Sequence, residues 1–175
     1  MATDCCRGKY GGNVRRCVDL IVHHAQESGF VCARECASRG PMYGHGFATL
    51  FLAEVFGMSR NEQVRDTLAK AVRLIVDTQN GEGGWRYDPR RHDAGISVTV
   101  CQVMALRAAR NAGITVPKET IDRALNYIKA CQNRDGGFRY RPPTVRSDRS
   151  SSEDLASRPS QFARSAAALV ALTSG

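Results

Sequence analysis

Two arginines stand at matching places in this chain, each between two aromatic residues: Trp85-Arg86-Tyr87 and Phe138-Arg139-Tyr140. A guanidinium is planar and can give two parallel hydrogen bonds to a phosphate or carboxylate. With Tyr87 and Tyr140 beside them, Arg86 and Arg139 could form an anion site for a diphosphate group or for a partner's acidic patch. The plainer alternative stacks each guanidinium on a ring or pairs it with Asp88 or a neighbouring repeat. Arg90, Arg91 and His92 add local positive charge. Three further groups could move protons: His45, Glu54 and Asp93 lie on or beside apolar helical stretches. A carboxyl buried without a partner holds its proton more tightly and can serve as a general acid. Glu54 stands near a helix end, where water or an arginine is also within reach.

Cysteine and histidine could hold zinc. Cys32-Ala33-Arg34-Glu35-Cys36 supplies one half of a site, and Cys5-Cys6 and His23-His24 are the other candidate ligands, but no second pair is clearly placed. Cys32 and Cys36 could equally pair as a local disulfide or stay as thiols. No cofactor or metal is therefore expected. The seven cysteines are irregularly spaced, which speaks against a disulfide scaffold. Cys17, Cys101 and Cys131 fall on helical positions expected to be buried or half-buried, as reduced thiols suited to the cytoplasm.

The elements that would carry these groups follow from a repeat. Gln79-Asn80-Gly81-Glu82-Gly83-Gly84-Trp85-Arg86-Tyr87 returns 53 residues later as Gln132-Asn133-Arg134-Asp135-Gly136-Gly137-Phe138-Arg139-Tyr140. A worn copy, Gln26-Glu27-Ser28-Gly29-Phe30, begins 53 residues before the first. A period of this length is that of a stacked helical array. Apolar spacing predicts six helices: Asn13 to Gln26, His45 to Met58, one opened by Ser59-Arg60-Asn61-Glu62 as a capping box, Ala94 to Asn111, Lys118 to Gln132, and Gln161 to Thr173. The first, third and fifth are amphipathic, and the others are apolar on most faces, so outer and inner helices alternate. Gly113 is expected to stop the fourth helix and Pro117 to start the fifth. The stretch 141–160, rich in Ser, Pro and charge, is expected to be a mobile loop.

Composition sets outer bounds. At 175 residues and 42% hydrophobic content the chain can bury one sizeable core. No apolar run approaches the roughly 20 residues that span a bilayer, and no signal peptide is visible. A cytoplasmic protein is expected. The net charge of +8 favours anionic partners or solubility, yet the basic residues are scattered, so nucleic acid is not an expected partner.

The Gln-x-x-x-Gly-Gly-Trp/Phe phrase after an outer helix resembles the prenyltransferase and squalene-oxidase repeat, the QW-type repeat of terpenoid cyclases, over roughly residues 13 to 140. The phrases Met42 to Thr49 and Gly83 to Tyr87 are similar to bacterial proteins of this superfamily known by their repeats alone. The resemblance implies an all-α, α/α toroid with inner helices around an apolar cavity. Here it would be a partial toroid of about three helical hairpins, half a ring. Such a chain is a fragment, closes by dimerising into a homodimer, or works as an open arc. It would form a single domain over 1–175, with repeats at about 13–44, 45–93 and 94–140 and a last helix at 161–173. The Asp-x-Asp-Asp acid motif of the cyclases and the Gly-Cys-Gly-Glu-Gln of thioester domains are missing from the sequence, and no Asp-x-Cys, the zinc motif of the prenyltransferases, occurs within the repeats at 13–140.

Within that frame Gln79, Gly84, Trp85, Gln132, Gly137 and Phe138 are expected to be structural. The glutamines would bond backbone between helices, the rings would pack on the preceding helix, and the glycines would allow a positive-φ turn. The leading expectation is a non-catalytic helical-repeat scaffold or binding domain whose concave face takes an apolar ligand or a peptide. The alternative is a cyclase-like or prenyltransferase-like enzyme, or part of one, acting on isoprenoids. Glu54, Asp93 and His45 would then be its catalytic candidates, and Arg86, Arg139, Tyr87 and Tyr140 its ligand-binding ones. The expected partners are an isoprenoid or other apolar small molecule, or a protein.

Overall fold

The computed structural model describes residues 8–33, 40–143 and 160–173. The expected loop falls mostly on 144–159 and lies outside the described residues, as do Cys5, Cys6 and Cys36. The described residues form six helices: α1 (Gly11–His23), α2 (Pro41–Ser59), α3 (Glu62–Thr78), α4 (Ile96–Asn111), α5 (Lys118–Ala130) and α6 (Phe162–Thr173). The fold is all-α and of the helical-toroid type, with α2, α4 and α6 side by side as an inner layer and α1, α3 and α5 outside.

Burial follows the sequence pattern. α3 turns Val64, Leu68, Ala71, Val72 and Ile75 inward and leaves its charged residues in water. α4 is buried on most of its circumference because α2, α3, α5 and α6 all pack on it. α1 has a poorer setting: its one extensive helix contact among the described residues is α3. That corrects the expectation for Cys17, which is exposed, whereas Cys101 is half-buried and Cys131 buried. The sequence pattern also missed Tyr127, a core residue of α5.

Helix starts differ from the spacing by two residues at α1 and α4, and for identifiable reasons at α2 and α3. α2 begins at Pro41, four residues before the expected start. Proline at the first helical position gives up no needed N–H, and the preceding Gly40 takes φ 74°. The cap of α3 is Asn61, whose Oδ1 accepts the N–H groups of Gln63 (2.9 Å) and Val64 (3.3 Å). Ser59, the expected cap, is the last residue of α2, and its hydroxyl donates to Val55 O at 2.9 Å. Arg60 between them is left-handed at φ 54°, anchored by its bond to Ala112 O (2.9 Å) and by the Phe56 ring.

The repeat turns superimpose in hydrogen bonding. Asn80 N–H donates to Gly84 O and Gly83 N–H to Asn80 O; the counterparts are Asn133 to Gly137 and Gly136 to Asn133. In the worn copy the pattern is Gln26 to Phe30 and Gly29 to Gln26. Gln26 therefore occupies the asparagine place, and Val31 the aromatic place. The worn copy is in register at 54 residues, one more than the glutamine alignment gives. Each turn is then tied to the next inner helix. Val31 N–H donates to His45 Nδ1 (3.1 Å), Trp85 N–H to Thr99 Oγ1 (3.2 Å), and Phe138 N–H to Ser165 Oγ (3.0 Å).

Candidate ligand face and its polar rim

The second turn delivers Arg86 and Tyr87 to the N-terminal end of α2 and α4, and the third delivers Tyr140 and Arg141 to the same place. Backbone bonds fix this: Met42 N–H donates to Tyr87 O (3.0 Å), and Ile96 N–H to Tyr140 O (3.1 Å). α2 and α4 thus each start on the turn of the following repeat. Gly95 lets Tyr140 approach, since a methyl group there would stand 2.8 Å from its hydroxyl.

The side chains form one connected group. Arg86 stacks over the rings of Tyr87 (4.5 Å) and Tyr140 (5.2 Å) and donates to Tyr140 Oη at 3.1 Å. The hydroxyls of Tyr87 and Tyr140 are 2.7 Å apart, and the Tyr43 ring lies 6.0 Å from that of Tyr87. Tyr43 Oη bonds Ser97 Oγ at 2.7 Å. Asp93 pairs through one oxygen with both Arg86 (3.5 Å) and Arg141. Two guanidiniums against one carboxylate leave net positive charge at this rim. Burial pushes the Tyr140 phenol up to about 12, helped by its bond to Tyr87 and opposed by Arg86. Burial raises Tyr43 as well. Both remain neutral hydroxyls at physiological pH, able to donate as well as accept.

From this rim a stripe runs along the side of the inner layer that faces away from the outer helices. On α2 it is Tyr43, Phe47, Leu50 and Glu54, and on α4 Ser97, Cys101, Met104 and Ala108, all partly or fully exposed. These sets match one another at 54 residues. Phe47, a large apolar side chain, is 56% exposed. Cys101 is held as a thiol, its pKa pushed up to about 11 by burial. A groove of about 500 Å³ lies elsewhere, on the outer layer between α3 and the α4–α5 connection.

The structure brings together Arg86, Tyr87, Tyr140 and Asp93 and sends the other candidates elsewhere. Arg139 turns back to donate to Asn133 Oδ1 in its own turn. Asp93, not Asp88, is the partner of Arg86. Glu54 is exposed at the far end of the stripe, so the expectation of an acid held in apolar surroundings is corrected. His45 is fully buried; its Nδ1 accepts from Val31 and its Nε2 reaches Ala71 O at 3.3 Å. Burial lowers its pKa to about 4. Sequence reasoning missed Arg141, Tyr43 and Ser97. The 54-residue match of Tyr43 with Ser97 was the available signal. Among the described residues no three His, Cys, Asp or Glu side chains gather as a metal site.

The sequence profile of the squalene-hopene cyclase C-terminal domain matches residues 48–175, well over half of the chain. The chain belongs to that family. A drimenyl diphosphate synthase from Streptomyces showdoensis is 33% identical over 86 residues, 49% of this chain. The chain matches 15% of that relative's length. No solved structure matches. No helix among the described residues is long and apolar enough to cross a membrane.

Proposed function

We propose that this cyclase-family domain binds an elongated apolar ligand of isoprenoid type along the α2–α4 stripe, with an anionic head at the Arg86–Arg141 rim, and does not itself transform it. The observation that carries the reading is the continuity of the two parts: Tyr43 is both a member of the polar rim and the first residue of the stripe. Apolar length ending in a few convergent polar donors is how proteins orient amphiphilic ligands. The drimenyl diphosphate synthase relative supports a diphosphate-bearing terpenoid as the ligand class. The binding role, as opposed to catalysis, is supported by the state of the acid candidates. Asp93 is ion-paired to two arginines, Glu54 faces water, and both nitrogens of His45 are engaged by backbone.

Calorimetric titration with farnesyl diphosphate, farnesol and inorganic diphosphate tests this. Farnesyl diphosphate should bind at least ~10-fold more tightly than either half alone, a difference of about 1.4 kcal/mol. Product analysis after long incubation should return it unchanged. A cyclised or hydrolysed product would establish the enzyme reading, and equal weak binding of all three would remove the ligand face.

A further inference from the structure

A single charge interrupts the apolar line on α2. The exposed side of this helix runs Tyr43, Phe47, Leu50 and Glu54, at the three- and four-residue steps that keep side chains on one face. Glu54 is the one Asp, Glu, Lys or Arg in the 19 residues of α2. Its carboxylate takes part in no ion pair among the described residues. Its counterpart on α4 is Ala108, which brings no charge. One turn beyond Glu54 the same side is apolar again, with Met58 44% exposed. Glu54 therefore breaks an apolar line and does not mark the start of a polar surface.

The break falls at a definite distance from the polar rim. From Tyr43 to Glu54 is eleven residues of helix, a rise of about 16 Å. An extended isoprene unit adds four chain bonds, about 5 Å. A chain of three units held by its head at the rim thus ends beside Glu54, at about 15 Å, and a fourth unit at about 20 Å must pass over it. Three units lie on Phe47, Leu50, Cys101 and Met104, side chains that gain from being covered. The fourth would strip water from a carboxylate and offer it no hydrogen bond in return.

We infer, resting on the ligand reading above, that Glu54 sets the chain length this face accepts: three isoprene units contribute to binding and a fourth does not. With an apolar residue in its place the line would run unbroken to Met58, about 22 Å from Tyr43 and long enough for four units.

Calorimetric titration of the full chain with farnesyl and geranylgeranyl diphosphate, below their micellar concentrations, tests this. The unaltered chain should bind the two within about 2-fold of each other. Five added carbons on apolar surface would otherwise tighten binding at least ~10-fold. Glu54→Leu should restore that gain, with geranylgeranyl diphosphate at least ~10-fold tighter than farnesyl diphosphate and the latter little changed. Phe47→Ala, at a position both chains cover, should weaken both ligands and leave their ratio as it was. The ratio is read within each variant, so a loss of folded protein does not move it. Geranylgeranyl diphosphate binding at least ~10-fold tighter to the unaltered chain overturns the inference, as does a ratio that Glu54→Leu leaves unchanged. Both outcomes leave the ligand reading standing. If neither lipid binds better than inorganic diphosphate, the ligand reading falls and the role of Glu54 falls with it.

Discussion

The turns at 79–87 and 132–140 are nearly the same sequence in two different settings. In the first, Gln79 is buried and makes two bonds, one of them to the next outer helix. In the second, Gln132 lies exposed on its own turn. Arg86 meets Tyr140 and Asp93, with Arg141 sharing the aspartate, while the equivalent Arg139 folds back on Asn133. The phrase specifies a turn. The following repeat turns it into a joint and gives its arginine partners in Tyr140 and Asp93.

The glycines should separate the two settings most sharply. Gly83→Ala combines a left-handed φ with a clash against Arg123 O and should cost about 3–4 kcal/mol by chemical denaturation. Among the described residues nothing stands within 4 Å of a methyl group on Gly136, so Gly136→Ala should carry the φ penalty alone and cost about 1 kcal/mol. Equal losses would mean that the joints do not differ.

The first joint can be broken by acid. His45 is the one titratable acceptor among the three inner-helix groups that hold the turns. Its folded pKa of about 4 lies below the ordinary 6.5. Between those values the unfolded chain binds the extra proton, so stability is complete above pH 6.5 and falls as pH drops toward 4, by about 3 kcal/mol. His45→Asn, which keeps an acceptor and removes the titration, should flatten the pH profile of thermal unfolding over this window. A profile that keeps its slope would place the titrating group elsewhere.

A smaller contrast is expected at the glutamines. Gln79→Ala removes two buried bonds and should cost about 2 kcal/mol, against less than about 0.5 kcal/mol for Gln132→Ala, both read from urea midpoints. Comparable midpoints would argue that Gln132 is covered in solution.

How legible this was depended on the range of the interaction. The alternation of outer and inner helices was readable because burial on one face leaves a 3.6-residue pattern, as with Val64, Leu68, Ala71 and Ile75. The pairing of Tyr87 with Tyr140 was half-visible, since the repeat marked both residues as equivalent but not as neighbours. Arg141 was hidden at the edge of a polar stretch. Glu54 was left open between burial and water because an apolar helix suggests burial all round, whereas α2 leaves the stripe from Tyr43 to Glu54 uncovered. The Ser59–Glu62 box misled because Asn61, two residues in, is itself a strong cap.

The most direct test of the claim that a site needs two consecutive repeats is to titrate Arg86→Ala and Arg139→Ala side by side with farnesyl diphosphate. Arg86→Ala should bind at least ~10-fold more weakly than the unaltered chain and Arg139→Ala within about 2-fold of it. Equal losses, or a larger loss at Arg139, would contradict the account.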